Sequence, residues 1–296
     1  MTNEKYFSLI DTHCHLYLEG FREDQADVIN RSIQGIFPNV RGKDVGIDPG
    51  QFRLIAGIAP GIDAETSLKV VAMNREYPFL FPAVAIHPNY TLEASDEDWE
   101  TIKRLAAGPE VVAIGETGLD LYRDYSPLDV QADYFRRHLE LAASLDLPVI
   151  IHCRDAQSQT LDILRELSQK CEQNKLRLRG SIHSFAGDVD FARECLALGF
   201  HIGFTGSVTY TNKKGAPLWE AAKMIPPDRL LIETDSPFLV PHPFRGKLER
   251  NEPLMVAFVA KRLAELREVS TEEIIRQTTE NAVTLFGLNH RLAALT

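Results

Sequence analysis

Eight short apolar runs, each followed by a stretch of helical periodicity, predict a (β/α)₈ barrel for this 296-residue chain, with extra helices at its C-terminal end. Two further observations support that class. Several of the runs end in a histidine, glutamate or aspartate, and barrels of this kind gather their functional groups at the C-terminal ends of the strands. A doubly wound open sheet would instead call for a glycine-rich phosphate loop after an early strand, and none is present. No internal repeat, low-complexity tract or linker divides the chain, so residues 1–296 are expected to form one domain.

The first run, residues 6–10, reads as a strand leading into Asp11-Thr12-His13-Cys14-His15. Residues 23–36 carry Ala26, Ile29 and Ile33 at helical spacing. Residues 38–51, with Pro38, Pro49, Gly42, Gly46 and Gly50, have loop composition. A strand is expected at 53–59, a helix at 64–77 closed by Pro78, and a strand at 79–86 that ends in His87-Pro88. Ser95 is suited to cap a helix over 96–107. Strands at 111–114, 147–151, 178–182 and 200–204 alternate with helices at 128–145, 157–171, 189–198 and 218–224. The eighth strand falls at 229–232. Two helices follow, at 253–266 and 271–286, the second with Ser270 and Glu273 in capping-box spacing.

Composition narrows the function. A hydrophobic content of 44% is enough for a sizeable core. The net charge of −10 argues against broad, nonspecific coating of nucleic acid but leaves room for a local cationic site. Such a site would engage a strand end or a few nucleotides. The four cysteines show no Cys-x-x-Cys pairing and no secretory leader precedes them, which points to reduced thiols and a cytoplasmic protein. Cys14 and Cys153 alternate with candidate ligands along their strands, so they are expected to point into packing. No apolar run approaches the ~20 residues of a membrane span. No obligate protein partner is evident.

The candidate chemistry lies at the strand ends. Residues two apart in an extended chain share a side, so His13 and His15 project together as two imidazoles able to bind one divalent ion. Glu116, His152, His183 and Asp235 follow four other strands. Singly, each has an ordinary reading as a satisfied core histidine, a helix cap or half of an ion pair. Together they point to a metal centre. Six nitrogen and oxygen ligands, with a carboxylate able to bridge, suggest two divalent ions in hydrolytic chemistry. The absence of thiolate suits Zn, Mn or Mg. Asp235 and Glu116 are the catalytic candidates, Asp235 as the acceptor of a proton from water.

The ordered motifs resemble those of the TatD family of metal-dependent deoxyribonucleases, from about residue 6 to 288. They are Asp11-Thr12-His13-Cys14-His15-Leu16, Ile86-His87-Pro88, Gly115-Glu116-Thr117-Gly118-Leu119-Asp120, Ile151-His152-Cys153-Arg154-Asp155-Ala156 and His183-Ser184-Phe185. Further on come Glu233-Thr234-Asp235-Ser236-Pro237, Arg245-Gly246-Lys247 with Asn251-Glu252-Pro253, and Thr279-Glu280-Asn281-Ala282. The resemblance implies a (β/α)₈ barrel of the amidohydrolase superfamily and hydrolysis of DNA phosphodiesters, often as a 3′–5′ exonuclease. It implies one ion among His13, His15, Glu116 and Asp235, and a second near Glu116, His152 and His183. Three features depart from the family pattern. Asn89 stands where a second histidine usually follows His-Pro, Leu248-Glu249-Arg250 lengthen the link from Lys247 to Asn251, and residues 38–51 look inserted. That loop joins a helix to the next strand and is expected on the face away from the metals.

Substrate contacts are expected from Arg154, two residues beyond His152, from Arg245 and Lys247 after the eighth strand, and from His87. Arg154 has an alternative as the ion-pair partner of Asp155 or Asp120. Tyr122, Phe185 and Phe238 can either stack on a base or pack beneath loops. Asp120 is placed to orient a ligand histidine. DNA ends or short oligonucleotides are therefore the expected substrate. The competing substrates are a carboxylic ester, amide or lactone, or aminoacyl-tRNA, since the same centre attacks carbonyls. The arginines favour phosphodiesters. A non-catalytic scaffold is disfavoured because fold stability demands no such ligand set.

Overall fold

The computed structural model describes residues 6–38, 49–211 and 216–294. Its eight strands are β1 (Phe7–Asp11), β2 (Phe52–Pro60), β3 (Leu80–Val84), β4 (Ala113–Asp120), β5 (Val149–Arg154), β6 (Gly180–Ile182), β7 (His201–Phe204) and β8 (Leu230–Ile232). They form one sheet in chain order, each pair parallel, which requires a crossover between neighbours. The crossovers carry α1 (Gln25–Gln34), α2 (Ala64–Glu76), α3 (Asp96–Ala106), α4 (Leu128–Ser144), α5 (Gln157–Gln173), α6 (Val189–Ala197) and α7 (Ala216–Met224). After β8 come α8 (Val256–Arg267), α9 (Thr271–Leu285) and α10 (Asn289–Ala293). The predicted (β/α)₈ TIM barrel with extra C-terminal helices is the observed one.

Strand alternation explains the two buried clusters. Ile58, Phe81, Ala83, Ile150 and Leu231 join an inner cluster, while Leu80, Val84, Val149, Ile151 and Ile232 pack outward against the helices. The inner cluster also takes in Ala282 and Leu285 of α9, and Phe286 and Leu288 beyond it. Thr279 donates to Ser8 O, Asn281 to Pro227 O and Leu230 O, and Arg291 to Pro109 O and Glu110 O. All of these acceptors lie at strand starts, so the C-terminal helices plug the end of the barrel opposite the candidate ligands.

The sheet closes between β8 and β1 by a short seam beyond the strands themselves. Thr12 N donates to Ile232 O at 3.2 Å, Asp235 N to His13 O at 2.9 Å, and His15 N to Ser236 O at 2.8 Å. Buried Asp11 adds a side-chain clasp by accepting from Thr234 N at 2.8 Å and Thr234 Oγ1 at 2.5 Å.

Some details differ from the sequence expectation. The fourth and fifth strands were expected to end at residues 114 and 151 but run on to Asp120 and Arg154, pairing Gly118 with His152 and Asp120 with Arg154. Gly118 makes this possible: at φ 140° a Cβ there would lie 2.0 Å from His152 O. Ser270 caps α9 through Glu273 N, but the Glu273 carboxylate turns to Arg276 and Gln277, so the reciprocal half of the capping box is not formed. Ser95 and Asp98 do form one on α3. Helix α10 carried no advance signal. Of the loop at 38–51, residues 39–48 lie outside the described residues. Among the described residues no helix is long and apolar enough to cross a membrane. Cys14 is buried as expected, whereas half-buried Cys153 both accepts from Thr160 Oγ1 and borders the cavity described next.

Candidate metal centre

At the C-terminal mouth of the barrel lies a cavity of about 670 Å³. His15 reaches it from just past β1, Glu116 from within β4, His152 from β5, His183 from just past β6, and Asp235 from beyond β8, while fully buried His13 meets them from the same segment as His15. The six residues meet, as the sequence predicted. His13 Nε2 and His15 Nε2 are 3.0 Å apart, and Glu116 Oε2 is 3.4 Å from the first and 3.9 Å from the second. Glu116 Oε1 is 2.7 Å from His152 Nδ1 and 3.8 Å from His183 Nε2. One carboxylate therefore presents a different oxygen to each pair of histidines. Asp235 Oδ1 completes the ring at 3.4 Å from His15 Nε2 and 3.8 Å from His183 Nε2.

The backbone is bent to aim these groups. Asp235 has φ 55° and Ser184 φ 45°, left-handed conformations that cost of order 1 kcal/mol in a residue with a Cβ. Buried Asn251 braces the Asp235 loop from both sides, with Nδ2 donating to Thr234 O at 3.0 Å and Leu239 O at 3.3 Å. Glu233, two residues before Asp235 and not singled out from the sequence, sits 2.9 Å from His183 Nδ1 and accepts from Ser184 N. That leaves His183 Nε2 facing the centre. Asp120 does the same for His152: its Oδ2 lies 3.0 Å from Nε2, so Nδ1 faces Glu116. Tyr17 Oη is 3.0 Å from His15 Nδ1.

His87 is different. Its Nδ1 accepts the Asn89 backbone N–H at 3.1 Å, so the neutral ring carries its proton on Nε2, the nitrogen 3.7 Å from Glu116 Oε1. A protonated nitrogen has no lone pair to give an ion. Burial lowers its pKa to about 3 and keeps the ring neutral.

The donor set fits divalent cations. Glu116, Asp235, Glu233 and Asp120 are all largely buried, and their ion pairs are with histidines alone. Burial opposes charge on His152, yet its bonds to Asp120 and Glu116 prevail and raise its pKa to about 9. His183 is likewise opposed by burial but raised to about 10 by Glu233 and Glu116. Burial works against the Glu116 carboxylate too, and charged His183 leads the groups that hold its pKa well below the usual range. Protons on imidazoles supply the positive charge that cations at the same place would replace. Buried His13 Nδ1 lacks a hydrogen-bond partner.

Of the expected substrate contacts, Arg154 and His87 line the cavity. Arg154 pairs with neither Asp155 nor Asp120; its guanidinium carbon lies 3.8 Å from the centroid of the Tyr122 ring. Arg245 and Lys247 are placed elsewhere. Arg245 stacks on Tyr210, and Lys247 borders a separate cleft with Asp24, Arg31 and Arg250, because the lengthened 248–250 link turns toward α1. Among the aromatics, Phe185 is buried, while Phe238 is exposed on the cavity wall and Tyr122 is exposed against Arg154. Arg123, Tyr17, Tyr90 and Tyr125 also line the cavity and carried no sequence signal beyond their nearness to a motif.

The family model described as "TatD related DNase" matches residues 10–287. The chain is 41% identical over 281 residues to an uncharacterized metal-dependent hydrolase, YabD, of Bacillus subtilis, covering 95% of this chain and all of that one. It is 37% identical over 231 residues to the 3′-5′ ssDNA/RNA exonuclease TatD of Erwinia tasmaniensis, covering 77% and 86% of the two chains. The crystal structure of YJJV, a TatD homologue from Escherichia coli K12, superposes with a TM-score of 0.80 at 29% identity and covers 94% of this chain and 98% of that one.

Proposed function

This chain belongs to the TatD family of metal-dependent hydrolases, and from that premise we propose that it cleaves phosphodiester bonds at the 3′ ends of single-stranded DNA. The observation that carries the reading is the union, in one cavity, of a histidine–carboxylate cluster with two arginines, Arg123 and Arg154. Fixed cations suit a phosphate, and a cavity of this size takes a nucleotide or two and not a duplex. The split facing of the Glu116 oxygens supports two divalent ions, Zn, Mn or Mg, with His13, His15 and Asp235 on one side and His152 and His183 on the other. When bound, such ions supply Lewis acidity and bring the pKa of water toward neutrality.

The chain's own residues do the rest. Asp235 Oδ1 accepts a proton from the attacking water. His87 donates from Nε2 to a phosphoryl oxygen, a role its tautomer fits and ligation does not. Arg154 and Arg123 offset phosphate charge, in place of the expected Arg245 and Lys247. Asp120 and Glu233 hold the two ligand histidines in the right tautomer. Four free thiols suit a reducing, cytoplasmic setting.

The test is nucleotide release from a 5′-labelled single strand by chelator-stripped protein, with Mg, Mn or Zn restored separately, beside a neutral carboxylic ester. Restoration of stepwise 3′ shortening is expected. Turnover of the ester alone would overturn the reading.

A further inference from the structure

Beside the two arginines stand two tyrosines that the hydrolytic step does not use, Tyr125 on the cavity wall and Tyr122 against Arg154. The segment Leu121-Tyr122-Arg123-Asp124-Tyr125 leaves β4 and is pinned at once, since the N–H groups of Tyr122 and Arg123 both donate to Asp120 Oδ1, at 3.0 and 2.9 Å. The other oxygen of that carboxylate meets His152. One buried side chain thus ties the rim segment to the metal centre with no intervening flexible link.

On this segment Tyr122 and Tyr125 are 61% and 57% exposed. They bury little, so packing does not account for them. Instead they interleave with cations. Arg154, 3.8 Å from the Tyr122 centroid, is one; Arg123 is the other, 5.9 Å from Tyr122 and 5.7 Å from Tyr125, and it donates to Tyr125 Oη at 3.1 Å. Each ring therefore has a guanidinium within 6 Å of its centroid. Rings held in place by guanidinium groups lose little freedom when a further flat group joins the stack. A nucleobase is such a group, and its phosphate is the natural partner of the same arginines. Bases inside a duplex already have both faces covered, so only an unpaired base can use the surface.

We propose that Tyr122, Arg154, Arg123 and Tyr125 form a stacking subsite for the unpaired base next to the scissile phosphate. The subsite rests on the phosphodiesterase reading, but binding can be measured without cleavage. In chelator, wild-type protein should quench a short oligothymidylate carrying 2-aminopurine next to its 3′-terminal linkage. Tyr122→Leu should weaken that binding about five- to a hundredfold, the loss of one base–aromatic stack, while Tyr122→Phe retains it. With metal restored, wild type should discriminate by a similar factor against a strand that is abasic at that position, and Tyr122→Leu should not. Quenching without cleavage by any metal form would leave the subsite standing and remove the phosphodiesterase reading. Equal cleavage of intact and abasic strands, or unaltered binding by Tyr122→Leu, would overturn the subsite.

Discussion

Glu116 shows how much of the site turns on single atoms: its two oxygens face different histidines, and neither contact could be assigned from spacing. What was legible was the residue type at the end of each strand, because a barrel directs those positions into one mouth. His13, His15, His152, His183 and Asp235 were found that way. Glu233 was passed over because, singly, a glutamate at a strand end looks like a cap, and only the 2.9 Å approach to His183 gives it a role. Asp235→Asn should lower turnover by about 10²- to 10⁴-fold, the usual worth of a general base, with an unchanged circular dichroism spectrum. His87→Phe should cost kcat by about 10²-fold or more while bound metal, counted by elemental analysis, stays the same. A fall in metal content would make His87 a ligand after all. The pKa values of His152 and His183, raised to about 9 and about 10, mean both rings hold protons at neutral pH before loading. A cation must displace them, so affinity weakens as pH falls below that range and strengthens as pH rises toward it. Calorimetric titration at pH 7 in buffers of different ionisation enthalpy should register proton release on metal uptake.

Among the elements, helices and outer strands were readable from periodicity, and the errors fell where tertiary contact overrides composition. Gly115-Glu116-Thr117-Gly118-Leu119-Asp120 is poor strand sequence, rich in residues that sheets disfavour, yet it is extended because β5 pairs with it and Gly118 permits the close approach. Arg245 and Lys247 were misplaced for a related reason: the path of a loop depends on what anchors it. Here Arg31 on α1 grips Glu252 through two bonds of 2.7 and 2.6 Å, and Arg250 reaches Asp24, so the segment after β8 is drawn toward α1. Glu252 is 4% exposed, and Arg31→Met would leave its charge buried with only the longer 3.4 Å contact to Arg250. A loss of about 2–3 kcal/mol is expected, measured by urea unfolding. Arg165→Ala, whose partner Glu194 is half exposed, should leave the urea midpoint where it is.

Across the whole molecule, plug and mouth occupy opposite ends of one barrel, so stability and chemistry are separated by the length of the strands. The C-terminal plug was foreseen as helices but not as a stopper, because nothing in the 271–286 pattern says which cluster its apolar face will join. Cations held by the proposed ligands, which follow or belong to β1, β4, β5, β6 and β8, would cross-link most of the sheet, and ligands that bind only the folded state stabilise it by mass action. At a concentration about 100 times the dissociation constant the gain is about 2.7 kcal/mol, so chelation should lower Tm by several degrees and metal should restore it. The seam between β8 and β1 carries a different consequence. Two of the three backbone hydrogen bonds that shut the cylinder involve the peptide units of His13, His15 and Asp235, the same residues whose side chains would grip the ions. A message translated from a start downstream of residue 15 would give a polypeptide missing its latch and two of its six candidate ligands. Such a product should be cut by protease more readily than the full chain, because its barrel cannot close at that seam.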